Sequence, residues 1–252
     1  IAGGQLSTNS PSSVTHLYDR LTDQWTVTPG SLETDRIHHA ALRLPNGNVL
    51  VTGGVSFSSN ANALSSCEEF DPGTGSWTTK ASLLTPRYRH TLTLLADGTV
   101  LAVGGVDGNG TGTDTVEIYH PGTDQWSPGI SLHVARYSHS ATLLTGGRVL
   151  VAGGDGAMSS SEIYDPATGQ WSVTGNLSDG RARHSATLLP NGNVLIAGGY
   201  SSDEMKTAEV YDPTTGSWLS VSDMSVKRHL HRATLLADGR VLLTGGLEDF
   251  SS

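Results

Sequence analysis

Residues 181–199 read Arg-Ala-Arg-His-Ser-Ala-Thr-Leu-Leu-Pro-Asn-Gly-Asn-Val-Leu-Ile-Ala-Gly-Gly, and the same frame is written five times along the chain. Its Arg-x-x-His pairs are Arg36/His39, Arg87/His90, Arg136/His139, Arg181/His184 and Arg228/His231. In every copy the first glycine of a Gly-Gly pair (Gly53, Gly104, Gly153, Gly198, Gly245) stands 14 residues past the histidine. Recurrence at a period near 50 residues marks a repeat architecture, so the fold is read from one unit.

Within that unit, His184 to Pro190 and Asn193 to Ala197 are short apolar runs around Asn191-Gly192, which predicts a hairpin with a type I′ turn. The second run (Val-Leu-Ile-Ala here, Val-Leu-Val-Ala in the third unit) shows no polar alternation and must be covered on both faces, as by neighbouring sheets in an array. Ala208-Glu-Val-Tyr211, the turn Asp212-Pro-Thr-Thr-Gly216 and Ser217 to Val221 predict a second hairpin, with Pro presetting one φ and Gly supplying a left-handed residue. Asp23 and Asp124 stand where the other units have that Gly, and Asp is among the few residues that accept its conformation. A Trp in each unit (Trp25, Trp77, Trp126, Trp171, Trp218) follows an aromatic seven residues earlier, and sheet-to-sheet burial is its expected use.

Bulk properties narrow the function. The chain of 252 residues has a formal charge of -9 and no basic run, which argues against a nucleic-acid partner. Its apolar runs fall far short of the roughly 20 residues of a spanning helix, so no membrane insertion is expected. The single Cys67 excludes an intrachain disulfide. Few lysines with many Ser, Thr, Gly and Asn lean towards an extracellular or cell-surface bacterial protein.

An Arg-x-x-His start, an apolar strand ending in Gly-Gly, then Glu-x-Tyr-Asp-Pro and a Trp resembles the kelch repeat, and the resemblance runs through essentially the whole chain. It implies an all-β kelch β-propeller of radially arranged four-stranded sheets, or blades. The expectation is one domain over 1–252, with five blades at 36–80, 87–130, 136–175, 181–223, and 1–30 with 231–246. The last blade would be closed by pairing of N- and C-terminal strands, giving a monomer if the ring closes and self-association if it stays open.

Loops held on a rigid scaffold are where recognition resides. Variation between the units gathers in the loops after Gly-Gly (5–13, 55–66, 106–114, 155–160, 200–207) and beside Arg-x-x-His, at His38, Tyr88, Arg89, Tyr137, Arg183, Lys227 and His229. The candidate ligand-binding set is therefore Arg36, His39, Arg87, His90, Arg136, His139, Arg181, His184, Arg228, His231, Tyr88, Tyr137 and His229. The arginines could fork onto an anionic ligand, or each could be bonded within the blades because every blade needs it. No cofactor and no metal site is expected, since the histidines outside the repeat show no ligand spacing and the loop Asp107 to Asp114 lacks a closing bidentate Glu.

The reading that follows is a non-catalytic binding or scaffold propeller that engages a protein, peptide or carbohydrate through this loop face. Some propellers that this chain resembles are enzymes, including copper radical oxidases and sialic acid mutarotases, which leaves a carbohydrate-active enzyme with a site at the channel mouth as the alternative. An engineered or excised propeller with no selected ligand is the third.

Overall fold

The computed structural model describes residues 2–4, 12–56, 62–156 and 158–247. Among them every regular element is a strand, and no helix is long and apolar enough to cross a membrane. The chain divides into two compact units, Ile1–Thr111 with Glu117–Pro128 and Gly112–Val116 with Gly129–Ser252, where the unbroken repeat predicts one domain. Repeats bond chiefly to their neighbours in sequence, so such an array lends itself to division.

The first unit opens with a two-stranded hairpin, β1 (His16–Asp19) and β2 (Gln24–Val27). A four-stranded sheet follows, built from β3 (Ala40–Arg43), β4 (Val49–Thr52), β7 (Cys67–Asp71) and β8 (Ser76–Lys80); the short pair β5 (Val55–Ser56) and β6 (Asn62–Ala63) leaves it between β4 and β7. The next sheet runs β9 (Thr91–Leu94), β10 (Val100–Val103), β11 (Val116–His120), β12 (Gln125–Pro128). In the second unit, β13 (Ser140–Leu143), β14 (Val149–Ala152), β15 (Ser161–Asp165) and β16 (Gln170–Val173) form one sheet. Another comprises β17 (Ser185–Leu188), β18 (Val194–Ala197), β19 (Ala208–Asp212) and β20 (Ser217–Val221), and the hairpin β21 (Arg232–Leu235), β22 (Val241–Thr244) comes last. Four complete blades of the expected kind are thus present.

The strands expected to share the fifth blade form two hairpins, one in each unit. Among the described residues β1–β2 and β21–β22 are each a two-stranded sheet, and the strip Ala2–Gly4 takes the place beside β1 through an Ala2–Thr15 bridge and a Gly3 N–H to Val14 O bond. Position Ile1 of that strip lies outside the described residues.

The second strand of each complete sheet is buried on both faces, as its unbroken apolar run demands. In the first unit Leu44, Leu50 and Cys67 meet Val100, Ala102, Tyr119 and Trp126 of the following sheet. In the second, Leu144 and Leu150 meet Val194 and Tyr211 in the same way. Each Trp faces the aromatic of its own hairpin across the ladder (Tyr119–Trp126, Tyr211–Trp218) with ring centroids 5.0 Å apart. The indole N–H of Trp126 and of Trp218 reaches back to the segment leaving the preceding sheet, at Ala81 O and Gly175 O, both 3.0 Å, while Trp77 bonds Thr15 Oγ1 at 3.2 Å. Trp25 departs from the expectation of burial: it is 57% exposed against 8% for Trp126, because the hairpin that carries it has no preceding sheet in its unit to lie on.

Turn chemistry explains the register. Leu189 N–H bonds Asn193 O and Gly192 N–H bonds Leu189 O, so the first hairpin closes over three residues, with positive φ at Gly192 but not at Asn191. This replaces the expected two-residue type I′ turn by a type I turn followed by a glycine bulge. Asn191 is there for its side chain, whose Oδ1 accepts the Asn193 N–H at 3.1 Å. In the second hairpin Asp23 and Asp124 take the left-handed conformation at φ 56° and 53°, as expected, and receive hydrogen bonds from Tyr18 and Tyr119.

Candidate functional site

The face read as the site begins at the corner where the chain enters each sheet. The residue after the motif Arg bridges to the residue after Gly-Gly: Ile37 to Val55 and Tyr88 to Val106 in the first unit, Tyr137 to Asp155, Ala182 to Tyr200 and His229 to Leu247 in the second. The glycine pair permits this approach. A Cβ on Gly153 would stand 2.4 Å from Arg181 O, and one on Gly199 would stand 2.8 Å from Ala182 O.

The next residue of each motif, His38, Arg89, Ser138, Arg183 or Leu230, holds φ between 54° and 57° without being glycine. Such strain persists only where the surroundings impose it. Here the imposing contact is a main-chain bond between consecutive repeats, from Arg89 N–H to His38 O in the first unit, and from Arg183 N–H to Ser138 O and Leu230 N–H to Arg183 O in the second, each 2.9 Å.

The motif arginines do not open onto this corner. Arg36 and Arg181 are fully buried and spend all five guanidinium N–H groups internally. For Arg181 the acceptors are Asp179 O, Gly198 O, Thr207 O, Thr207 Oγ1 and Glu209 Oε1, at 2.8 to 3.1 Å. Arg87 and Arg136 are equally buried and pair with Glu117 and Glu162. The glutamate also accepts main-chain N–H groups of the segment entering the sheet, as Glu209 does from Ser178 and Asp179. Of the two roles open to these four arginines, forked ligand donor or internal tie, the geometry gives the tie. Arg228, whose Nη1 donates to Gly245 O, is half-buried on the last hairpin.

The motif histidines fasten one repeat to the one before. His90 Nε2 meets Thr52 Oγ1 at 2.7 Å, His184 Nε2 meets Ser140 Oγ at 2.9 Å and His231 Nε2 meets Ser185 Oγ at 2.8 Å. Burial, reinforced by the nearby motif arginine, pushes His39 and His231 down to about 4 and His184 to about 3, while His139 is driven well below its ordinary value. All four are therefore neutral imidazoles at pH 7.

The variable set is more open, with His38 exposed and Tyr88, Tyr137 and Arg183 half-buried, although His229 is buried at 7% exposure. In the first unit His38 and Tyr88 rings lie 6.4 Å apart, and the Arg89 guanidinium stands 5.8 Å from the Tyr88 ring centre. In the second unit a longer chain of contacts forms. Arg183 lies 3.9 Å from Asp155 Oδ2 and 5.4 Å from the Tyr200 ring centre, Tyr200 and His229 rings are 5.6 Å apart, and His229 Nδ1 is 3.7 Å from Glu204 Oε1. Exposed Lys227 pairs with Asp203 at the rim, and Tyr137 is half-buried beside Asp155. Asp155, Tyr200 and Glu204 carry no individual signal in the sequence, although the variable loops that hold them do. Of the variable loops, positions 5–11, 57–61 and 157 lie outside the described residues.

Other chemistry-bearing groups are occupied elsewhere. Asp107 Oδ1 accepts the N–H groups of Asn109 and Thr111 at 2.9 Å, which makes it a turn former in its glycine-rich loop. Among the described residues no group of three or more His, Cys, Asp or Glu gathers to hold a metal. Cys67 is buried between sheets, where burial pushes its thiol up to about 12.

Comparison with known proteins accords with this geometry. A search of curated proteins finds no match. The solved structure of YjhT superposes with a TM-score of 0.77 over 94% of this chain and 85% of that one, at 15% identity, which is a likeness of fold. The family model described as the Kelch motif matches residues 36–84, 87–129 and 181–225, more than half of the chain. The matched stretches hold the Arg–Glu ties, glycine corners and Trp anchors described above, and the chain belongs to the kelch-repeat family, with the fold of its β-propellers.

Proposed function

We propose that this protein is a non-catalytic binding module whose ligand, a protein segment or a carbohydrate, is held on the face formed by the Arg-x-x-His corners and the loops after Gly-Gly. One observation carries the reading: the residues common to the repeats are consumed by the scaffold, while those that differ between repeats stand together at the corners. In the second unit these are Asp155, Arg183, Tyr200, Glu204 and His229, which combine an aromatic face, a forked donor and two carboxylates. Half-buried aromatics offer rigid apolar contact at low entropy cost, and the flanking charges supply directional hydrogen bonds.

A thermal-shift screen of neutral and acidic sugars and of acidic peptides tests this, using the parent protein, Arg183→Ala and Tyr200→Ala. A compound that raises the Tm of the parent and of neither variant supports the proposal. A screen with no stabilising compound counts against it, and turnover of a sugar that Arg183→Ala abolishes would replace it with the carbohydrate-active-enzyme reading.

A further inference from the structure

Two polar spacings adjoin the Tyr200 ring of the second unit. In one, Arg183 Nη2 and Asp155 Oδ2 stand 3.9 Å apart, and in the other His229 Nδ1 and Glu204 Oε1 stand 3.7 Å apart. Both separations are too long for a direct hydrogen bond, yet each lets a single oxygen lie about 2.8 Å from both partners. The groups that face each other here are not consumed by the scaffold. Among the described residues Asp155 Oδ2 and His229 Nδ1 are buried with no hydrogen-bond partner, and the Arg183 guanidinium makes no hydrogen bond. Buried polar atoms of this kind call for a partner.

The chemistry of the spacings restricts what that partner is. Arg183 only donates and the carboxylates of Asp155 and Glu204 only accept, while His229 with its proton on Nδ1 donates towards Glu204. A group that joins both sides must accept from one and donate to the other. A hydroxyl does so; a carboxylate or phosphate oxygen has no proton to give Asp155, and an ammonium has no lone pair for Arg183. The charges agree, since two carboxylates outnumber the one guanidinium and the rim Lys227 is paired with Asp203, which leaves no positive surplus to attract an anion. In the first unit Val55 and Val106 hold the position of Asp155, so that corner lacks the carboxylate and only the second unit carries the arrangement.

We infer that this corner takes a neutral sugar, which sets one hydroxyl between Arg183 and Asp155 and another between His229 and Glu204, with Tyr200 in contact with its carbon skeleton. The inference rests on the binding-module reading above and narrows its ligand to an uncharged carbohydrate. The Tyr200 ring centre lies 5.4 Å from the Arg183 guanidinium and 5.6 Å from the His229 ring, steps that a sugar of one or two rings spans.

Saturation-transfer NMR on the full chain, with titration of each binder, reads the ligand class. The probes are methyl α-glucoside, methyl β-galactoside and cellobiose as neutral sugars, glucuronate as an anion, glucosamine as a cation, and an acidic peptide. The expected result is a neutral probe whose binding weakens about tenfold or more in Asp155→Asn and in Arg183→Ala, with the β-sheet circular dichroism of the parent retained. Glu204→Gln reads the second spacing independently and should weaken the same probe. Glucuronate or the acidic peptide binding more tightly to Asp155→Asn than to the parent overturns the inference and leaves the binding-module reading in place, as does binding of glucosamine alone. A neutral probe that binds all three variants as it binds the parent also overturns it. If no probe of any class binds, both readings fall.

Discussion

Arg136 Nη2 lies 2.8 Å from Glu162 Oε1 with neither side chain more than 1% exposed, and Glu162 also accepts the His133 main-chain N–H at 2.9 Å. Burial opposes ionisation of that carboxyl, yet the bonds from His133 and Arg136 hold it below the usual carboxylate range. Breaking one partner of such a pair strands a buried charge. Glu162→Ala is expected to lower unfolding free energy by about 3–5 kcal/mol, measured by urea denaturation, while replacing both residues by apolar ones should cost less than the single change.

The buried histidines set an acid limit. Their folded-state values, about 3 to 4 for His39, His184 and His231, lie below the ~6.5 of an unfolded chain. The neutral form is the one the fold favours, so the stabilisation is complete above pH 6.5 and is lost as pH falls towards 4. For half-buried His184 the slope is at most about 1.4 kcal/mol per pH unit across that window. The Tm should be level between pH 7 and pH 8 and drop below pH 6, and His184→Gln should make the drop shallower. An unchanged slope in that variant would count against a neutral His184.

Trp126 anchors one sheet on the preceding one by area and by its bond to Ala81 O. A buried Trp removes roughly 150–250 Å² from water. Trp126→Ala is expected to cost about 3–5 kcal/mol, and Trp126→Phe less, in chemical unfolding.

The corner glycines differ from glycines in open loops. Gly153→Ala places a Cβ 2.4 Å from Arg181 O at φ 61° and should destabilise by more than about 2 kcal/mol. Gly108→Ala meets nothing within 4 Å and should stay within about 0.5 kcal/mol. Paired melts of the two variants check this.

Much of the blade could be read before any coordinates because each signal is local. Asp-Pro-x-Thr-Gly spells its own turn, and the Asp23 and Asp124 exceptions are explained by a backbone preference that a single residue carries. The loop length at Asn191-Gly192 is not legible in the sequence, because a three-residue loop and a two-residue loop share the same Gly and only the Leu189–Asn193 bond distinguishes them. The Arg–Glu tie was half visible. Glu68, Glu117, Glu162 and Glu209 recur two residues before the aromatic, but each lies 26 to 32 residues from its Arg, a pairing that only the folded sheet reveals. At the Arg-x-x-His corners Tyr88, Tyr137, His229 and Arg183 differ visibly from their counterparts in the other repeats. Their neighbours Asp155, Tyr200 and Glu204 do not, since loops of unequal length hide which residues face one another.

The left-handed residue before each motif histidine carries a consequence for how such proteins diversify. At Arg89, Arg183 and Leu230 its N–H is held by the preceding repeat's carbonyl, and side chains as unlike as His38, Ser138, Arg183 and Leu230 share the same left-handed backbone. Each repeat thereby carries one position whose side chain is free to vary while the framework around it stays unchanged.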